Sequence, residues 1–129
     1  MSKPQSVTVS AFVDTSASST TTGLCHGQSG EYELTSLTMV PHGALAESGS
    51  AKYVIAVTQG SDTVATSYDT SASGNALEVG VKQSMTVSTT AGSALEFGAT
   101  DVLKFVITKT GSPDSLKVQI FAAFSKVRV

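Results

Sequence analysis

Cys25, His26 and His42 are the side chains of this 129-residue chain with the widest chemical range. A thiol beside an imidazole could be a nucleophile with its base. Neighbours in an extended segment point to opposite sides, however, and neither a third orienting residue nor an oxyanion motif accompanies Cys25-His26. Cys25, His26 and His42 also miss the ligand spacing of a zinc site. No catalytic, cofactor-binding or metal-ligating residues are assigned, and the chain is read as a protein other than an enzyme.

The carboxylates are scattered through turns and wet strand positions, and no Asp-x-Asp-x-Asp-Gly loop offers a calcium site. A glycosidase would need a carboxylate pair flanked by aromatic platforms. Trp is absent and there are three Tyr. Tyr32 and Tyr53 sit at alternating strand positions, where packing is the expected role. Tyr68, expected in a loop, is the one aromatic placed to stack on a sugar. Phosphate-cradling glycine motifs are missing as well.

Charged residues make up 14% of the chain and the formal net charge is −2, so no basic footprint for nucleic acid is present. Lys3, Lys117, Lys126 and Arg128 give the termini a mild positive bias. Ser and Thr stand where charges usually stand. A single cysteine excludes an internal disulfide and suits a product of the cytoplasm. The first residues lack the apolar core of a signal peptide, and no run reaches the roughly 18 apolar residues of a membrane span. The expectation is a soluble chain.

The elements that must position any surface are strands. An apolar residue recurs at every second place through Leu95 and Phe97, then Leu103, Phe105 and Ile107, then Leu116, Val118 and Ile120. Thr110-Gly111-Ser112-Pro113-Asp114 between the last two runs reads as a hairpin loop. Tyr32 and Leu34 give way to Leu37 and Met39, so the parity shift predicts a bulge near Thr35-Ser36. Residues 51–59 predict a central strand closed by Gly60. Val64, Leu77 with Val79, and Met85 with Val87 mark shorter segments.

Residues 6–13 alternate Val7, Val9, Ala11 and Val13, a first strand that belongs either to an arm or to the sandwich. Residues 14–30 have few apolar anchors and read as a long loop or extended arm. Nothing recurs at helical spacing over three turns. The echo of Asp-Thr-Ser-Ala-Ser at 14–18 and 69–73 has unmatched flanks and reads as compositional bias. The prediction is an all-β protein: an antiparallel, jelly-roll-like β-sandwich over residues 31–129, with an amino-terminal strand and flexible arm over residues 1–30.

Residues Leu95-Glu96-Phe97, the turn Gly98-Ala99-Thr100-Asp101, the strand Val102-Leu103-Lys104-Phe105-Val106-Ile107 and the segment Leu116–Ile120 resemble the end of jelly-roll head decoration (cement) proteins of tailed bacteriophages. In those chains an Ala-Gly-Asp type turn precedes a Val-Leu-x-Phe/Val strand, and Asp101 matches that aspartate. The resemblance runs loosely over residues 30–125. It implies a structural virion protein made in the host cytoplasm, a homotrimer that binds the major capsid protein on the head surface and braces the shell. Val7, Val9 and Phe12 are then the expected capsid or intersubunit contacts, and Phe121 and Phe124 the expected trimer seam. Phe121 and Phe124 have opposite parity, so regular pleating sends at most one of them into the core. A carbohydrate-binding sandwich that uses Tyr68, lectin-like or receptor-binding, is the competing expectation. A small-virus coat protein is a third, but the terminal helices expected of an RNA-phage coat are missing.

Overall fold

The computed structural model describes residues 5–127; Lys3 and Arg128 lie outside that range. Among the described residues nine strands form in chain order: β1 (Ser6–Thr15), β2 (Ser19–Leu24), β3 (Tyr32–Pro41), β4 (Lys52–Gln59), β5 (Asp62–Asp69), β6 (Gln83–Met85), β7 (Glu96–Phe97), β8 (Leu103–Thr110) and β9 (Leu116–Lys126). A 3-10 turn, Gly92–Leu95, precedes β7.

The strands make two antiparallel sheets, ordered β1-β9-β3-β6 with β7 also on β3, and β2-β8-β4-β5. Four of the pairings are nested: β1 with β9, β2 with β8, β3 with β6, β4 with β5. A long hairpin of that kind, rolled so that β9 meets β3 and β8 meets β4, is a jelly roll. The all-β antiparallel sandwich anticipated from the alternation is the observed fold.

β4, β8 and β9 each contribute one face to the core, as a period of two requires. Leu116, Val118, Ile120, Ala122 and Phe124 from β9 are fully buried, and Leu103, Phe105 and Ile107 from β8 meet them from the other sheet. Burying each large apolar side chain contributes about 1.5–3 kcal/mol. The parity shift in β3 is a bulge between Leu34 and Ser36. The hydroxyl of Thr35 at that bulge donates to the carbonyl of Ala123 at 3.1 Å. It thereby supplies the carbonyl with a partner where the ladder is irregular.

Two expectations are corrected. Residues 6–24 are built into the sandwich and form no arm: β1 pairs with β9 along ten residues, Ser6↔Ser125 to Thr15↔Leu116, and β2 pairs with β8 from Ser19↔Thr108 to Leu24↔Leu103. No boundary at residue 30 divides the chain. The physical reason is that the outer edges of β8 and β9 offer unpaired backbone groups, which a polar Ser-Thr-Thr-Thr segment satisfies as well as an apolar one.

The second correction concerns residues 110–114, which cross from one sheet to the other and close no hairpin. β8 pairs with β2 and β4, whereas β9 pairs with β1 and β3. Sheets pack about 10 Å apart, a gap that five residues span. Gly111 has φ of +69°, and a Cβ there would run into the carbonyl of Ser50. The crossover therefore fits only around glycine.

Candidate functional site

The outer face of the larger sheet carries two of the contact residues expected from the sequence, Phe12 and Phe121. Odd positions of β9 and even positions of β1 point outward. Cross-strand rows run Phe12 beside Gln119 beside Val40, Ser10 beside Phe121 beside Thr38, and Thr8 beside Ala123 beside Ser36. Charge enters only at the ends of this face, with Asp14 opposite Lys117 at one end and Glu33 at the other. The centre is hydroxyl, amide and apolar.

Phe12 is 51% exposed, and its ring makes a T-shaped contact with that of His42, centroids 5.4 Å apart at 87°. His42 is fixed from behind, since its backbone N–H donates to the carbonyl of Lys117 at 2.7 Å. The N–H of Gly80 donates to the neighbouring Pro41 carbonyl at 3.0 Å, which brings the exposed Val79 and Val81 to the same end. Three of the four large apolar side chains left exposed among the described residues, Phe12, Val79 and Val81, thus belong to one end of this sheet. The fourth, Val102, lies over Gly23, where a Cβ would come within 2.6 Å of it.

Val7 and Val9 face inward, partly buried against the core. Phe121 is half-buried on the outer face. Phe124 is in the core of the single chain, fully buried, with its ring 5.3 Å from Phe97 and 5.5 Å from His26. Its expected role in a trimer seam is corrected, because even parity on β9 points inward. Tyr68 is corrected in the same way. It lies in β5 with 5% of its surface exposed, and its hydroxyl donates to the carbonyl of Asn75 at 3.0 Å, so its ring offers no sugar platform.

Cys25 and His26 point apart, the thiol exposed and the imidazole 3% exposed. His26 Nε2 lies 2.7 Å from the Phe97 carbonyl, and the Gln28 N–H donates to Nδ1 at 3.0 Å. The carbonyl can only accept and the amide can only donate, so the ring carries its proton on Nε2. His26 is a structural clamp on β7, packed against Tyr32 at 4.8 Å. The sequence carried no signal for that role beyond the alternation that separates His26 from Cys25. Among the described residues no three His, Cys, Asp or Glu gather to hold a metal ion.

Two shallow grooves lie away from the outer face. One of about 300 Å³ is lined by hydroxyls of Thr63, Thr66, Thr86 and Ser88 where residues 86–88 close over β5. Another of about 520 Å³ lies between the β4–β5 turn and Thr100–Val102. Both are open to solvent. No protein-family model matches the chain, and no similar protein was found among curated sequences or solved structures.

Proposed function

We propose that this chain is a structural virion protein, a capsid decoration protein that binds the outer surface of a phage head and stabilises the shell. The outer face of the larger sheet carries this reading: Phe12, Val40, Phe121 and Ala123 stand among Ser, Thr and Gln, with charge confined to the ends. Such a surface suits a protein partner bound by packing and short hydrogen bonds, with little electrostatic steering. The turn behind the family resemblance also supports it. Asp101 accepts the Gly98 N–H on its side chain at 2.8 Å and donates its own N–H to the Gly98 carbonyl at 3.2 Å, so Gly98–Asp101 is a closed loop on the rim of the sandwich.

In this reading the major capsid protein is the partner. The homotrimer implied by the resemblance would use Phe121, the member of the aromatic pair that points out. The carbohydrate-binding alternative loses its stacking residue with the burial of Tyr68. The deciding experiment adds purified protein to heads that lack it and follows rupture on heating. Saturable binding with a raised rupture temperature is the expected result, and failure to bind or to protect would overturn the proposal.

A further inference from the structure

We infer that the free edge of β1 is the pairing edge for β1 of a second copy of this chain, aligned antiparallel about a two-fold axis near Ser10. The four sheet edges are not equivalent. β6 is three residues long, β5 is covered by the bridge of Ala65 with Val87, and β2 runs for six residues. β1 runs for ten residues in unbroken register and, among the described residues, pairs only with β9. Edges of that length are normally blunted by lysine, proline or a bulge. β1 reads Ser-Val-Thr-Val-Ser-Ala-Phe-Val-Asp-Thr and has none of these.

A second copy fits this edge because β1 complements itself. Paired residues in one sheet point to the same side, so only registers that match inward with inward are allowed. Centring on Ser10 places Ser10 opposite Ser10, Val9 opposite Ala11, Val7 opposite Val13 and Thr8 opposite Phe12. Inward apolar residues meet each other, and the outer faces of the two sheets become continuous. Charge selects the direction. Asp14 is the only ionised side chain in β1. The antiparallel arrangement sets it beside Ser6 of the second copy and keeps the two carboxylates roughly 27 Å apart at ~3.4 Å per residue, beyond the screening length. A parallel arrangement would stack the two carboxylates directly, which is destabilising.

This pairing uses the edge of β1 and is independent of the capsid reading and of any seam at Phe121. Its first test is the native mass of the purified full chain at micromolar concentration by light scattering. An even multiple of the 13.1 kDa chain mass is expected, six chains where the trimer of the capsid reading also forms; a monomer or a bare trimer overturns the inference. Ser10→Lys opposes two ammonium groups at the axis and should halve the mass while leaving the melting temperature of the fold in place. An unchanged mass in the folded variant overturns it. Should that variant not fold, Ser10→Cys on a Cys25→Ser background gives the answer. A covalent dimer that forms under mild oxidation and is lost on reduction is expected, and absence of the cross-link overturns the pairing.

Discussion

The hydroxyl of Tyr53 donates to the main-chain carbonyl of Asp114 at 2.9 Å, with the carbonyl of Thr15 3.3 Å away. One side chain from β4, in the smaller sheet, therefore anchors the segment that carries the chain into β9, beside the end of β1. Two of the inter-sheet crossings at this end, β1 to β2 and β8 to β9, are thereby held at one point. Tyr53→Phe keeps the ring and removes the bond, and should cost about 1 kcal/mol in urea unfolding.

Burial pushes the hydroxyls of Tyr53 and Tyr68 above the ordinary value of 10.0. For an acid with a raised folded value, the unfolded chain ionises first. The contribution to stability is complete below pH 10.0 and is lost as pH rises through the folded value. Phenolate absorbance should show delayed titration of these two hydroxyls, followed by a cooperative alkaline transition. Titration at the ordinary value with no unfolding would contradict their burial.

Asp69 behaves in the opposite sense. Its carboxylate accepts from the Ser71 hydroxyl at 2.6 Å and the Ser71 N–H at 2.9 Å, and pairs with Lys52 at 3.0 Å. The Ser71 bonds, with a smaller contribution from Lys52, hold its ionisation below 3.8. The stabilisation is present above pH 3.8 and fades as pH falls through the lower folded value. Ser71→Ala should weaken stability by about 1 kcal/mol, and Lys52→Met by a few tenths, since exposed ion pairs contribute about 0–1 kcal/mol. Denaturant midpoints at neutral pH rank the two.

Gly111 and Gly74 both have positive φ, +69° and +84°, but only Gly111 has backbone packed against it. Gly74→Ala should cost about 1 kcal/mol from conformation alone. Gly111→Ala adds a collision with Ser50 and should cost more than about 3 kcal/mol, visible as a large drop in melting temperature. Equal effects would mean that the crossover is looser than described.

If the proposed function holds, Phe124 serves stability and Phe121 recognition. Phe124→Ala empties a core position and should cost about 3–5 kcal/mol. Phe121→Ser and Phe12→Ser should leave the melt within about 1 kcal/mol of the parent and weaken binding to heads at least tenfold in a sedimentation assay. Full head binding by Phe12→Ser/Phe121→Ser would move the contact off this face.

Clamping of β7 by His26 can be tested in the same way. His26→Phe fills the aromatic gap beside Phe124 and Tyr32 but strands the Phe97 carbonyl and the Gln28 amide. A loss of about 2 kcal/mol is expected for the unpaired buried groups, with exchange of the Gln28 amide accelerated. No loss would mean that water replaces the imidazole.

The sequence by itself determined which residues share a face, because a strand with one buried face must alternate. Leu103 to Ile107, Leu116 to Ile120 and the shift at Thr35-Ser36 were all legible for that reason. Alternation also placed Phe121 and Phe124 on opposite sides, although only the packing of Phe97 and His26 decided which of them is core. Tertiary structure alone decided who pairs with whom. A hairpin and an inter-sheet crossing demand the same flanking pattern and the same turn residues, so Thr110–Asp114 could not declare itself. β2 was equally silent, as Ser-Thr-Thr-Thr-Gly-Leu has too little apolar content to form a strand unaided. It is a strand because β8 presents an edge to it, and an edge is a property of the fold that no local stretch of residues encodes.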